Sequence, residues 1–132
     1  MKSLDDNGVF EAILARVTEE AKRRGVSGVF AMADLLRPGY IRYALVNRSS
    51  ALRVGEAPRR DANLMCVCLT KLAMVVTHLM NTGQHDVLFG EVEFRGGRLA
   101  KEGMFAYAFS GAPEEVDDEL TVVAEEAHIA LS

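Results

Sequence analysis

The amino-acid sequence predicts an α+β domain, a single five-stranded antiparallel sheet whose elements follow as helix, hairpin, long helix, three-stranded meander and helix. Three observations carry this. Apolar residues recur at helical spacing at the start, middle and end of the chain, and the segments between them alternate or are apolar throughout, like strands. Arg37-Pro38-Gly39 and Arg95-Gly96-Gly97-Arg98 lie between strand-like segments, where hairpins turn. No repeat, linker or low-complexity stretch divides the 132 residues, a length that suits one domain.

Asp5 to Arg24 reads as the first helix: Asp5, Asp6 or Asn7 can cap it, Phe10, Ile13, Leu14, Val17 and Ala21 form its stripe, and Gly25 closes it. Val26 to Ala33 is apolar on both faces, as a strand inside a sheet should be, and Asp34 ends it. Tyr40 to Val46 is the returning strand of a hairpin. Asn47 to Arg60 carries Ser, Gly and Pro and is expected as a loop, long for a compact domain. The long helix is expected from Asp61, at the N-cap, to Asn81, with Asn81-Thr82-Gly83 as its stop. Val87 to Phe94, Leu99 to Glu102 and Met104 to Phe109 make the meander. Pro113 opens the last helix, which runs to Leu131 with Val116, Leu120, Val123, Ala127 and Leu131 on its buried side.

The long helix is apolar around most of its circumference, so it is expected to be covered on several sides. One arc differs. At about 100° per residue, Asn63, Val67, Thr70, Lys71, Met74, Thr77, His78 and Asn81 share a sector of roughly 120°. Lys71, Met74 and His78 project from one side and are the candidate ligand-binding side chains; the His78 imidazole is also the candidate metal or haem-iron ligand. Ser110 and Gly111 join them, because the start of the last helix offers N–H groups that can hold an anion or carboxylate. The acids Glu114, Glu115, Asp117, Asp118 and Glu119 read as a solvated helix start. His85 and His128 are isolated. Cys66 and Cys68 point about 200° apart on the helix, which excludes a disulfide between them and leaves them as small buried hydrophobes.

Several function classes are disfavoured. A net charge of −4 argues against a nucleic-acid binder, and the basic clusters Lys22-Arg23-Arg24 and Arg59-Arg60 stand at expected helix ends. The apolar run Leu72 to Val76 is too short to span a membrane. MKSLDDNG places acids where a signal peptide needs a cationic and then an apolar region, so a cytoplasmic location is expected. Neither a G-x-S-x-G nucleophile elbow nor a glycine-rich phosphate fingerprint is present. A lysine desolvated in so apolar a helix could act as a base, but no partner acid is identifiable from sequence, so an enzymatic role stays open.

The segment MFAYAFSGAPEEVDDELTVVAEEA resembles the C-terminal signature of the GlcG/HbpS family, which includes the PduO C-terminal domain. The likeness rests on Ser110, Gly111, Ala112, Glu114, Asp117 and Glu119. EAKRRGVSGVFAMAD, ending in Asp34, is similar to the family's first helix and strand, and Lys71 stands where the family has a lysine. The resemblance implies a homo-oligomer that binds a small ligand, haem or a related tetrapyrrole in some members, accessory to small-molecule metabolism. The element order also resembles the roadblock/MglB domain, a dimerising scaffold whose long helix pairs with a second copy. That alternative implies a regulatory protein with no small ligand.

Overall fold

A computed structural model describes residues 1–37, 40–47, 56–84 and 94–132, with the backbone alone for 56–63. The elements are α1 (Val9–Arg23), β1 (Gly28–Asp34), β2 (Ile41–Val46), α2 (Glu56–His78), β3 (Gly97–Leu99), β4 (Phe105–Ser110) and α3 (Glu114–Ala130). The strands form one antiparallel sheet in the order β2-β1-β4-β3.

The sheet therefore has four strands among the described residues, where the sequence predicts five. In the expected strand Val87 to Phe94, residues 87–93 lie outside the description, and Phe94 is not in a strand. Of the expected meander, the described residues hold the hairpin β3–β4. Gly97 and Arg98, expected in a turn, are strand residues paired with Ala108 and Tyr107. Between β3 and β4 the chain reverses at residues 100–104, at the break the sequence places at Gly103 between its last two strands; there the Gly103 N–H donates to Ala100 O at 2.8 Å and Gly103 adopts a φ of 77°.

β1 and β4 occupy the centre and are buried along their whole length, as two-faced apolar strands must be. On one face, Phe30, Met32, Phe105, Tyr107 and Phe109 pack against α1 and α3. On the other, the small residues Val29, Ala31, Ala33, Ala106 and Ala108 receive Cys68, Leu72 and Val75 of α2. Helices thus cover both faces of the sheet. α1 buries Val9, Phe10, Ile13, Val17 and Ala21, the expected stripe with Val9 in place of Leu14. Its N-cap is Gly8, with no side-chain cap, rather than an Asp or Asn.

α2 differs from its expected form in three respects. It begins at Glu56, so Asp61 lies inside the helix, and residues 56–60 belong to the helix rather than to a loop; residues 48–55 of that loop are outside the description. It ends at His78, where Leu79 takes a φ of 52° and donates its N–H to Val75 O at 2.8 Å. Asn81 and Thr82 are then released to complete the sheet. Asn81 Oδ1 accepts the Leu99 N–H at 2.8 Å, Thr82 Oγ1 accepts the Gly97 N–H at 2.9 Å, and the Thr82 N–H donates to Gly97 O at 3.0 Å. Among the described residues, these groups of Asn81 and Thr82 meet the outer edge of β3. Lastly, the buried side chains of α2 among residues 64–78, namely Cys68, Lys71, Leu72 and Val75, lie along one face. Cys66, expected to be buried, is exposed, and so are Val76 and Thr77.

His128 fixes the far end of α3. It is fully buried, with Nε2 at 2.6 Å from Lys2 O and Nδ1 at 2.8 Å from the Tyr107 hydroxyl. A carbonyl can only accept, so Nε2 carries the proton and Nδ1 accepts from Tyr107. Burial lowers the His128 pKa from 6.5, and the fold holds the neutral ring. The stability this contributes is complete above the unfolded value and is lost as pH falls through the lowered folded value. The urea midpoint of the wild type should therefore fall between about pH 7 and pH 5 more steeply than that of His128→Gln, whose amide does not titrate. Parallel midpoints would show that His128 is not the coupled group.

Candidate functional site

The candidate site is built where α2, the end of the sheet and α3 converge. Lys71 lies on the flank of α2's buried face and reaches around the end of the sheet. Its Nζ donates to Phe109 O at 2.7 Å and to Asp117 Oδ2 at 2.9 Å, with both side chains 4% exposed. Asp117 belongs to the first turns of α3, on the opposite face of the sheet from α2. Its other oxygen accepts the Ala112 N–H at 3.0 Å, tying the turn before α3 to the same carboxylate. Burial pushes the Asp117 carboxyl up to about 6, against the pull of the Lys71 ammonium and of the Ala112 N–H.

Gly96 makes room for this pair. A Cβ there would stand 2.8 Å from Asp117 Cβ, 2.8 Å from Phe109 O and 2.9 Å from Lys71 Nζ, at a φ of 109°. A side chain at Gly97 would meet Val75 and Thr82 at 2.8 Å. The glycine pair that reads as a hairpin turn is thus a place of close packing.

Beyond the pair, an open groove of about 390 Å³ runs between Asn81–Gln84, the start of β3 and one side of α3. Its α3 wall is Asp118, Glu119, Thr121 and Val122, and across from it stand Arg95 and Arg98. Arg95 Nη2 lies 2.5 Å from Asp118 Oδ2, and Glu119 pairs with Arg24. Arg98 Nε donates to Glu125 Oε1 at 2.7 Å, while Glu125 Oε2 accepts the Lys101 N–H at 2.7 Å. The described residues contain no group of three or more His, Cys, Asp or Glu able to hold a metal ion.

The sequence-predicted residues fall in two places. Lys71, Ser110 and Gly111 come together near Asp117, because Lys71 binds Phe109 O and Asp117 binds the N–H of Ala112. Ser110 is buried at the end of β4, and Gly111, at a φ of 129°, passes so close to Ser27 that a Cβ would lie 2.5 Å from its carbonyl oxygen. Met74 and His78 are half-buried further along the same flank of α2. None of the five lines the groove. Cys68 is inert: its thiol sits 3.4 Å from Val29 O, and burial pushes its pKa up to about 12. His85 lies outside the described residues.

Sequence reasoning misses the polar side of α3. Asp117, Thr121, Glu125 and His128 are buried with Leu120 and Ala124, whereas Val116, Val123, Ala127 and Leu131 are only half-buried. The signal is present: 117, 121, 125 and 128 recur at helical spacing. Each of the three ionisable groups has a specific partner, so the stripe can face inward without orphaned charge.

No family model matches the sequence, and no curated protein matches it. Among solved structures, Klebsiella pneumoniae protein ORFY, a DUF336 protein, is similar over 100% of this chain and 99% of its own, at 18% identity and a TM-score of 0.67. A PduOC:haem complex is similar over 92% of this chain and 93% of its own, at 18% identity and a TM-score of 0.65. The chain has a GlcG/HbpS-like fold. No helix among the described residues is long and apolar enough to cross a membrane.

The Lys71–Asp117 pair is open to a direct test. Asp117→Asn leaves a buried ammonium without its counter-charge and should cost about 3–5 kcal/mol in urea unfolding. Lys71→Met/Asp117→Asn removes both charges and keeps an acceptor for the Ala112 N–H, so it should be more stable than Asp117→Asn alone. Strict additivity of the single substitutions would show that the two groups are not coupled.

Proposed function

We propose that this protein binds a small ligand and does so as a homo-oligomer. The groove beside α3 carries this reading. Its volume of about 390 Å³ is that of a small-molecule site. Its walls are held by side chains anchored in the fold: Thr82 on β3, Thr121 on the Asp118 carbonyl and Arg98 on Glu125. The GlcG/HbpS-like fold, shared with a solved haem complex, makes haem or a related tetrapyrrole the first ligand to test.

The described lining of the groove offers haem iron no ligand. Among the described residues its lining has no imidazole, thiolate, thioether or phenol to bind the iron. A tetrapyrrole would be held instead on the α2 flank, where His78 would supply a nitrogen to its iron and Met74, one turn away, would help line the site. Lys71, Ser110 and Gly111 would shape the neighbouring end of the sheet. In this reading Lys71 acts through Asp117, and nothing gives it a substrate-facing role as a base. Haemin added to the wild type should then produce a shifted Soret band that His78→Ala abolishes. Absence of the shift removes haem from the proposal, and a shift unchanged in the variant removes His78 from it.

The homo-oligomer rests on an uncovered apolar shelf. Ile41 and Tyr43 of β2 pair with Ala33 and Ala31, so they stand on the face that α2 covers elsewhere, yet they are 47% and 54% exposed. Val76 of α2 is 40% exposed, and Met65 and Leu69 are half-buried at the edge of the same cluster. A second copy seated on this shelf also suits the scaffold alternative, in which no small ligand binds. Tyr43→Glu should lower the mass measured by light scattering to that of the monomer, while leaving the circular dichroism of the fold unchanged. An unaltered mass would place the assembly elsewhere.

A further inference from the structure

Arg98 is anchored on one side and unmatched on the other. Nε is its one contact with Glu125, and Glu125 is held in turn by the Lys101 N–H and is 3% exposed, so the anchor cannot swing away. Neither Nη group of Arg98 donates to an acceptor among the described residues. A guanidinium carries five N–H donors in a planar fork, and those left over here belong to a residue that lines the groove.

The neighbours do not compete for that fork. Asp118 faces Arg95, and Glu119 faces Arg24. Thr121 Oγ1 donates to the Asp118 carbonyl at 2.6 Å. Asn81, whose Oδ1 accepts the Leu99 N–H, keeps its amide N–H groups for a ligand, and Gln84 adds an exposed amide at the rim. Among the described residues, the fork of Arg98 has no planar acceptor with two oxygens opposite it.

We infer that the groove is a carboxylate site, taking a small organic acid whose two oxygens pair with the Nη groups of Arg98 while Asn81 donates from the side. The inference rests on the groove being the ligand site proposed above, and it adds the chemical class. Phosphate could use the same fork, but its second negative charge would lie against Asp118 and Glu119 at the wall, so the site selects the singly charged group.

The test is an NMR titration of the full-length protein with acetate, succinate, acetamide and inorganic phosphate, on the wild type and on Arg98→Lys. Acetate and succinate should move the backbone amides of Thr82, Gly97 and Thr121 and the Arg98 Nε–H signal, and acetamide, the uncharged match of acetate, should not. Arg98→Lys keeps a cation for Glu125 but loses the fork, and should weaken succinate binding about tenfold or more. Acetamide binding as well as acetate, phosphate binding better than both, or an unchanged affinity in Arg98→Lys overturns the carboxylate assignment and leaves the groove as a ligand site of another class. No movement with any of the four probes overturns the carboxylate site. Combined with a failed haemin titration, it removes the ligand-binding reading as well. Should Arg98→Lys not fold, the wild-type Arg98 Nε–H signal decides by itself: a carboxylate that shifts backbone amides but leaves this signal unmoved overturns the proposal.

Discussion

The buried pair between Lys71 and Asp117 is the constraint on which this end of the molecule depends. α2 and α3 lie on opposite faces of the sheet, and the two side chains meet around its end. Two charges withdrawn from water carry a desolvation cost of several kcal/mol each, and an ion pair alone does not reliably offset it. Here the geometry adds acceptors and donors on both sides: Phe109 O for the ammonium, the Ala112 N–H for the carboxylate. The pair's main effect is positional. It fixes where α3 starts relative to α2, and it requires a glycine at 96, because the space a side chain would need is the space the pair occupies.

The groove follows from that position. With Asp117 turned into the pair, the helical spacing of α3 places Thr121 and Glu125 along the same buried side, with Asp118 and Val122 beside them facing the groove. Arg98 enters from β3 on the α3 side of the sheet, since Gly97 and Leu99 occupy the opposite side by strand alternation. It therefore finds Glu125 under the helix and the groove beside it. Stability and the proposed ligand chemistry share residues here. Glu125 is buried because Arg98 and the Lys101 N–H satisfy it, and Arg98 is held in one orientation because Glu125 is buried.

The sequence makes the period-based features legible and hides those set by register. The three helices, the β1–β2 hairpin and the burial of both faces of β1 follow from spacing that any window of the chain displays. Helix boundaries shift where capping is done by backbone conformation, as at Gly8 and Leu79, and no capping side chain marks the place. β3 is illegible because three residues carry too short a pattern and its first residue, Gly97, follows Gly96 in a pair that looks like a turn. In the site, Lys71 stands out as a cation in an apolar helix, but its partner sits among five acids at a helix start, a composition that by itself describes a solvated end. Only the pairing across the sheet separates Asp117 from Glu114 and Glu115, which are exposed.

The character of α2 bears on assembly through the same geometry. Its apolar circumference exceeds what a sheet of this width can cover: the small side chains of β1 and β4 accept one face, and β2 extends past the helix with Ile41 and Tyr43 uncovered. Around the helix, Lys71 and Met74 mark the flank toward α3 and the groove, while Met65, Leu69 and Val76 mark the opposite flank. A partner on the β2 side would thus leave the groove open, and a ligand in the groove would leave the shelf open. The groove and the apolar shelf lie on different sides of one helix, so occupation of one leaves the other accessible. A ligand could bias assembly only by shifting the seat of α2 on the sheet.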